Sequence, residues 1–343
     1  MPDYVSWIIF AVIVGGLLFV DLFIFHRDAH AVKMREAGIW VAVWVSLGLA
    51  FGGWIFLTRG STSGAEYLAG YLIEYSLSMD NVFVFAVLFA YFGVPAQYQH
   101  RLLFWGVLGA IVFRAVFILA GTALLDAFHF IIYVFGALLL FTAWRMVTAG
   151  AEQVDPSKNP VLRLLRRVIP VTDDFRGQRF FTRIDGKLWA TPLFAALVVV
   201  ETSDIMFAID SVPAILAITT DTFIVFTSNA FAIMGLRSLY FLLAGLIERF
   251  EYLKYGLAAL LAFAGIKMLL SDVVHIDVWV SLGIIVAILV SSVVISEVPA
   301  DKWLALLSRT PSVATEWVGR LAGKLVAARE DAACLVFDDC NLI

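Results

Sequence analysis

The sequence predicts an all-α membrane protein, a polytopic bundle of about nine transmembrane helices that contains an inverted repeat. Three observations predict this fold: the composition, the length of the apolar segments and the recurrence of one acidic motif. Of the 343 residues, 62% are hydrophobic and 15% are charged, whereas an average soluble domain has roughly 45–50% apolar and about 25% charged residues. Because water cannot solvate so large an apolar surface, we expect the chain to lie in a lipid bilayer.

Each predicted span is an apolar segment long enough to cross a hydrocarbon layer of about 30 Å. In chain order the spans are Tyr4–Phe25, Ile39–Leu57, Tyr67–Phe92, Leu102–Leu125, Phe128–Val147, Trp189–Ile218, Thr222–Ile247, Tyr255–Leu270 and Val278–Ile295. The first span follows Met1-Pro2-Asp3 without the basic residues of a signal peptide, so we expect it to be retained. The eighth span is the shortest of the nine, and its length also fits a re-entrant segment.

The basic residues of the connections predict how the spans are oriented. Basic residues follow spans one, three and seven, and eight Lys and Arg residues lie in the connection 149–188 after span five. Since positive charges favour the cytoplasmic side, the amino terminus is predicted outside and the carboxyl terminus in the cytoplasm. Residues 1–300 then form one transmembrane domain with a cytoplasmic loop at about 149–188, and residues 301–343 form a cytoplasmic or interfacial tail.

The composition also argues against several classes of function. The two cysteines, Cys334 and Cys340, both lie in the tail, so neither a disulfide scaffold nor a thiolate metal cluster is expected. The sequence has no basic stripe of the kind that binds nucleic acid, and it has no Gly-x-x-x-x-Gly-Lys-Ser/Thr motif for ATP. We therefore expect no nucleic-acid partner and no direct use of ATP. We also expect a protein that is not an enzyme and has no permanently bound cofactor.

One acidic motif occurs twice, and its two copies define the predicted repeat. Span three contains EYSLSMDN at 74–81, and span six contains ETSDIMFAIDS at 201–211. In each copy two acids stand six residues apart and a polar residue follows the second acid. The spans that come next each carry one arginine, Arg114 and Arg237. Because spans 3–5 and 6–8 cross the bilayer in opposite directions, we predict an inverted repeat with a binding site near the midplane.

Five acids lie within these two spans: Glu74, Asp80, Glu201, Asp204 and Asp210. A charged side chain at the centre of a membrane helix costs at least ~2.5–3.5 kcal/mol, so these side chains are expected to face inward. Carboxylates in a shared dry interior repel one another, and a positive charge must join them. Three sources are open: Arg114 and Arg237 as charge-balancing residues, bound protons, or a metal cation.

The donor atoms indicate which cation the site would hold. The carboxylates, Asn81 and Ser211 supply hard oxygen ligands, which suit Mg²⁺, Ca²⁺ or Mn²⁺. Neither motif contains Cys or His, which argues against zinc and Cu(I). We interpret Met79 and Met206, beside the acids, as packing residues. Three further residues are secondary candidates: Ser78, Asp21 and Asn229.

The acids of span six cannot all point in one direction from a straight helix. Asp204 and Asp210 are about 120° apart on such a helix, and Glu201 and Asp210 are about 180° apart. Pro213 removes a backbone donor, so we predict an interruption of the helix near 209–211. A broken helix would also offer free backbone carbonyls to a cation.

At these motifs the sequence resembles the TerC family of integral membrane proteins, which is named for tellurite resistance. The resemblance extends over about residues 4–300 and includes the stretches 21–30 and 231–241. It implies metal-ion homeostasis, most often export of Mn²⁺ across a bacterial cytoplasmic (inner) membrane. It also implies a relationship to the LysE-type exporters, which are built on inverted three-helix repeats. The residues that match the family's motif positions are Glu74, Asp80, Asn81, Glu201, Asp204, Asp210 and Ser211.

The leading hypothesis is a secondary transporter that exports a divalent cation, Mn²⁺ before others, in exchange for protons. Its expected partners are the ion and the lipid bilayer, and an oligomer or an accessory protein is also open. An alternative is a non-transporting accessory protein in metal or tellurite stress resistance or in secretion. A minor alternative is an intramembrane aspartyl protease with Asp80 and Asp210 as its dyad. Tellurite is an anion, so we expect any resistance to be indirect.

Overall fold

The computed structural model describes residues 3–20, 34–148, 159–243 and 253–297 of the chain. This part is helical apart from short connections and one two-stranded hairpin. Its elements are α1 (Asp3–Val20), α2 (Met34–Arg59), α3 (Ser61–Tyr91), α4 (Ala96–Ala127), α5 (Ile131–Thr148), α6 (Pro160–Val168), β1 (Phe181–Ile184), β2 (Lys187–Ala190), α7 (Pro192–Leu216), α8 (Thr222–Met234), α9 (Leu236–Leu243), α10 (Leu253–Leu269) and α11 (Val278–Glu297). The prediction of a helical polytopic membrane bundle is confirmed, and the hairpin is an addition to it.

Seven helical segments of the described part are long and apolar enough to cross a membrane. They are Met34–Arg59, Ser61–Tyr91, Ala96–Ala127, Ile131–Thr148, Pro192–Leu216, Thr222–Leu243 and Val278–Ile295. The apolar part of α1, Tyr4–Phe19, and α10, with 17 residues, are shorter. Each predicted span therefore contains a helix, although seven rather than nine segments of the described residues reach the full length.

The helices of the two predicted repeats occupy corresponding places in the packing. In the predicted repeat, α3, α4 and α5 correspond to α7, α8 and α10. α3 packs on α8 and α4 packs on α7, and these two contacts are equivalent under that correspondence. α3 also packs on α7, and α5 packs on α10, so each of these contacts joins two helices that correspond to each other in the repeat. These contacts fit a two-fold repeat of spans 3–5 and 6–8, and the opposite orientation of its two halves stays a prediction from the loop charges.

Two glycines allow the backbones of α5 and α10 to approach closely. A Cβ atom on Gly136 would lie 3.1 Å from the carbonyl oxygen of Gly265. A Cβ atom on Gly265 would lie 2.9 Å from the carbonyl oxygen of Gly136. Small residues permit such contacts between membrane helices. The two helices thus form a tightly packed pair beside the core of the bundle.

The predicted interruption of span six is wrong, because α7 continues from Pro192 to Leu216. Pro213 lies inside this helix and is buried. Prolines are tolerated in membrane helices where neighbouring helices support the backbone. Predicted span seven has an irregularity of one residue: Gly235 lies between α8 and α9, keeps helical backbone angles and donates its N–H to the carbonyl of Ile233.

The described part of the predicted cytoplasmic loop is folded. β1 and β2 pair antiparallel, and their two-residue turn contains Asp185 and Gly186, which both have positive φ. Positive φ at both central residues is typical of a type I′ hairpin turn. The helix predicted to start at Trp189 begins at Pro192, because Trp189 and Ala190 belong to β2. The described part of the charged connection, residues 159–188, therefore contains a helix and a hairpin.

The predicted site residues concentrate where α3, α4, α7 and α8 meet. Buried charged side chains lie there, including Glu74, Arg114 and Asp204. The secondary candidate Asp21 and the tail 301–343 lie outside the described residues. The orientation of the bundle across the membrane stays a prediction from the loop charges.

Candidate functional site

Arg114 on α4 stands at the centre of the site. Its side chain is 1% exposed, and its guanidinium forms ion pairs with Glu74 of α3 and Asp204 of α7. Nε of Arg114 lies 3.7 Å from Oδ2 of Asp204, while Nη1 pairs with Oε1 of Glu74. A buried charge left without a partner is strongly destabilising, so the burial of Arg114 requires the two acids and the burial of the acids requires Arg114. Each predicted repeat contributes one acid to the same arginine.

Polar side chains from three helices surround the carboxylate of Glu74 and the guanidinium. Nδ2 of Asn229 donates to Oε2 of Glu74 at 2.9 Å, and Oγ of Ser78 donates to Oε1 at 3.1 Å. Nη1 of Arg114 donates to Oγ of Ser211 at 2.8 Å and to Oδ1 of Asn229 at 3.4 Å. We call these buried side chains the Arg114 network, and its members are Glu74, Ser78, Arg114, Asp204, Ser211 and Asn229.

Glu201 lies one turn before Asp204 on α7 and faces Gly109 of α4. A Cβ atom on Gly109 would lie 2.1 Å from Oε1 and 2.2 Å from Oε2 of Glu201. The carboxylate therefore occupies the space that any side chain at this position would fill. Oε2 of Glu201 is buried and has no hydrogen-bond partner among the described residues. Gly109 is a site residue that the sequence does not reveal, because its role depends on which helix packs opposite it.

Asp210 has different surroundings from Asp204. Oγ1 of Thr142, on α5, donates a hydrogen bond to Oδ1 of Asp210 at 2.8 Å. This placement follows from the unbroken α7, on which residues six apart point about 120° apart. Asp210 is thus bonded to α5, whereas its neighbour Ser211 contacts Arg114.

The other predicted site residues lie apart from these contacts or cannot be placed. Asn81 is buried on α3, and Arg237 is buried on α9, where it borders a small cavity with Trp44. The backbone of Asp80 lies in α3, but its side chain is outside the described residues. Met206 is 60% exposed, so it does not pack between helices of this chain.

The two acids of the Arg114 network are paired with Arg114. In the described part of the chain, no group of three or more His, Cys, Asp or Glu side chains is arranged to hold a metal ion. The cavity that borders Asp204 measures about 10 Å³, which is room for about one water molecule. The oxygen donors are nevertheless of the kind that hard divalent cations prefer.

A larger pocket of about 470 Å³ lies where α3 ends and α7 begins. Phe92, which directly follows α3, and Ala195 of α7 line it together with Thr172 and Asp173. Ala195 precedes Glu201 by six residues, which is about 9 Å along a helix. In the predicted orientation, this pocket faces the cytoplasm.

Comparisons with known proteins agree with the family resemblance. The family model "Integral membrane protein TerC family" matches residues 59–302. The chain is 50% identical over 290 residues to "Uncharacterized membrane protein STKORF319" of Myxococcus xanthus, covering 84% of this chain and 91% of that protein. It is 48% identical over 299 residues to "Putative membrane-bound redox modulator Alx" of Escherichia coli (strain K12), covering 84% of this chain and 93% of that protein. No solved structure matches the chain.

Proposed function

This chain belongs to the TerC family of integral membrane proteins, and we propose that it exports a divalent cation, Mn²⁺ before others, through the Arg114 network. The observation that carries the proposal is the pairing of Glu74 and Asp204, one acid from each repeat, on a single buried arginine. Inverted repeats in transporters place the substrate at their interface near the midplane. The proposed location is a bacterial cytoplasmic membrane, with the amino terminus outside and the carboxyl terminus in the cytoplasm.

Arg114 acts in this proposal as the counter-charge of the cation-free state. Its guanidinium holds Glu74 and Asp204 in the position where a cation would need them. When the cation binds, Arg114 moves off the carboxylates and keeps Ser211 and Asn229 as acceptors. The buried acids are then never left without positive charge, which would be costly in a dry interior.

The charges around the network favour a divalent ion. With Glu74, Asp204 and the neighbouring Glu201 all ionised, three negative charges face the single positive charge of Arg114, and a divalent ion such as Mn²⁺ would neutralise the remaining two. When the cation leaves, protons on the carboxylates can restore the balance, because like charges favour the protonated forms. We therefore propose exchange of the cation for protons. Transport that ignores a pH gradient, in protein that still binds the cation, would contradict the exchange.

The pocket between the ends of α3 and α7 supports an outward direction of transport. Its volume of about 470 Å³ exceeds the 10 Å³ of the cavity beside Asp204, and Asp173 lines it at the predicted cytoplasmic side. From this pocket, Glu201 is reached along α7 before Asp204. A cation arriving from the cytoplasm would thus meet Glu201 first, at the wall formed by Gly109.

The test is Mn²⁺ flux in both directions through the purified protein in liposomes. Glu74→Gln and Asp204→Asn each remove one charge from the network, and we expect both to abolish flux. The matched control is Asp272→Asn, at an exposed acid in the connection after α10, where hydrogen bonds from Tyr133 and His129 lower the pKa of Asp272. We expect this control to keep the flux of the unmodified protein.

Two other outcomes favour the alternatives. Correctly folded protein that carries neither Mn²⁺ nor Ca²⁺ nor Mg²⁺ would overturn transport and favour an accessory role, with which the name of the Escherichia coli relative, a redox modulator, agrees. Loss of proteolysis of a membrane substrate in Asp210→Asn but not in Asp204→Asn would favour the aspartyl protease. Asp210 accepts a hydrogen bond from Thr142, and the side chain of Asp80, the other acid of the predicted dyad, lies outside the described residues.

A further inference from the structure

Helix α6 in the loop between spans five and six has an unusual distribution of side chains. It has nine residues, PVLRLLRRV, and its N-cap Asn159 accepts hydrogen bonds from the N–H groups of Val161 and Leu162. Pro160 at the first position fits a helix start, because its missing N–H would have no partner there. The N-terminus of α6 is therefore well defined, and each of its residues can be assigned to a face of the helix.

One face of α6 is packed against the end of the bundle. Leu162 is buried, and Leu165 packs against the same apolar cluster. That cluster contains Phe89 of α3 and Leu193 of α7. Since Leu193 lies in the first turn of α7, α6 is held at the level where this membrane span begins.

A second face of α6 is apolar and uncovered in the described part of the chain. Val161, Leu164 and Val168 are 38%, 59% and 70% exposed. Their spacing of three and seven residues places them in one stripe along the helix. A stripe of this kind on a helix in water would leave its apolar surface hydrated without any compensating contact.

A third face carries exposed positive charges beside this stripe. Arg163 and Arg167 are four residues apart, so they lie on one side of the helix, and both are exposed. A helix with an apolar stripe next to arginines is typical of segments that lie in the headgroup layer of a membrane. Guanidinium groups also match the geometry of phosphate oxygens through paired hydrogen bonds.

We propose that α6 lies in the lipid headgroup layer and binds anionic phospholipids. Val161, Leu164 and Val168 would contact the upper acyl chains, and Arg163 and Arg167 would bind the headgroup phosphates. Two features select the membrane as the occupant: the complementary charge of anionic lipid, and the position of α6 beside the start of α7, where the bilayer surface must lie. The proposal does not depend on cation transport.

The test measures which lipid touches the exposed stripe. A Leu164→Cys variant in a Cys334→Ser/Cys340→Ser background carries an environment-sensitive fluorophore at position 164. It is reconstituted in vesicles that contain brominated phosphatidylglycerol or brominated phosphatidylcholine, both of which quench the fluorophore on contact. We expect stronger quenching by the anionic lipid, and we expect this preference to weaken as salt is added.

Variants of the arginines separate a specific site from general positive charge. Replacing Arg163 and Arg167 by Gln is expected to lower the preference for phosphatidylglycerol about five-fold per arginine, since each contributes about 1 kcal/mol near an anionic surface. The Arg163→Lys/Arg167→Lys variant should keep part of the preference. The matched control removes two charges from the hairpin instead, with Arg183→Gln and Lys187→Gln, and should keep it all.

Three results would overturn the proposal. No quenching by either lipid would mean that protein or water covers the stripe. Equal quenching by both lipids would mean that the arginines select no headgroup. An equal loss of preference in the hairpin control would mean that the charge of the whole loop, rather than α6, attracts the lipid. Native mass spectrometry of the unmodified protein, which counts retained phosphatidylglycerol, checks the result without a label.

Discussion

Glu74 and Glu201 are the acids with which the segments 74–81 and 201–211 begin, yet they are held in opposite ways. Glu74 is fully buried and receives hydrogen bonds or ion pairs from Arg114, Asn229 and Ser78. Glu201 is half-buried, faces Gly109, and has one carboxylate oxygen without a hydrogen-bond partner among the described residues. The ion pair with Arg114 positions Glu74, whereas Glu201 occupies the space left by the missing side chain of Gly109. In the proposed transporter, the fixed acid anchors the site and the less constrained acid receives the ion.

The largest effect is expected from removing the charge that holds Glu74. Arg114→Gln leaves Glu74 and Asp204 buried without a counter-charge, and breaking a buried ion pair in this way costs about 3–5 kcal/mol. We expect a large drop in the thermal unfolding temperature in detergent, together with loss of Mn²⁺ flux. Arg114→Lys keeps the charge and should recover part of the stability.

The matched control for this variant is Arg59→Gln. Arg59 pairs with Asp221 at 3.2 Å, but this pair is partly exposed to solvent. An ion pair near the surface contributes about 0–1 kcal/mol, and the Arg59 guanidinium also lies 4.4 Å from the centre of the Phe223 ring, a contact of about 0.5–1 kcal/mol, so the control should lose less stability than Arg114→Gln. Equal destabilisation of both variants would contradict the idea that charge holds the Arg114 network together.

Substituting the two glutamates compares them directly. Glu74→Gln weakens charged hydrogen bonds that contribute about 1.5–3 kcal/mol each, so we expect measurable destabilisation. Glu201→Gln removes a carboxylate with an unpaired oxygen, and the cost should stay below about 1 kcal/mol. Both variants should lose Mn²⁺ flux. If Glu201→Gln is the less stable protein, the contrast between a fixed and an unconstrained acid is wrong.

Gly109→Ala tests the space that receives Glu201. The added Cβ would lie 2.1 Å from Oε1 of Glu201, and the flexible side chain must move aside while the backbone stays in place. We expect the protein to fold normally and to bind Mn²⁺ about ten-fold more weakly, which corresponds to about 1.4 kcal/mol. Isothermal titration of the purified protein with Mn²⁺ measures the change.

Two further variants show whether Glu201 is the cause. In Gly109→Ala/Glu201→Asp, the shorter acid leaves room for the Cβ, and part of the lost affinity should return. Gly53→Ala on α2 adds a Cβ where no atom lies within 4 Å, so its affinity should not change. An affinity loss that the shorter acid does not reverse would exclude a positioning role for Gly109.

The sequence of a single chain predicts which charged residues are buried better than it predicts which residues contact each other across two helices. Arg114 and the acids could be identified because a buried charge in a membrane is costly wherever the helices lie. Gly109 could not, since a glycine shows nothing about the helix opposite it. The wrong prediction of an interruption near Pro213 has the same cause, because packing against neighbouring helices decides whether a proline interrupts a membrane helix.

The smallest effect on Mn²⁺ flux is expected from a substitution beside Asp210. Thr142→Val removes the hydrogen bond from α5 to Oδ1 of Asp210, and a single hydrogen bond contributes about 1 kcal/mol. Because Asp210 is bonded to α5 rather than to Arg114, Mn²⁺ flux should change by less than about two-fold while the unfolding temperature falls slightly. A loss of flux as complete as that of Glu74→Gln would show that Asp210 belongs to the transport site. The motif on α7 would then contribute to the site through Asp210 as well as through Asp204.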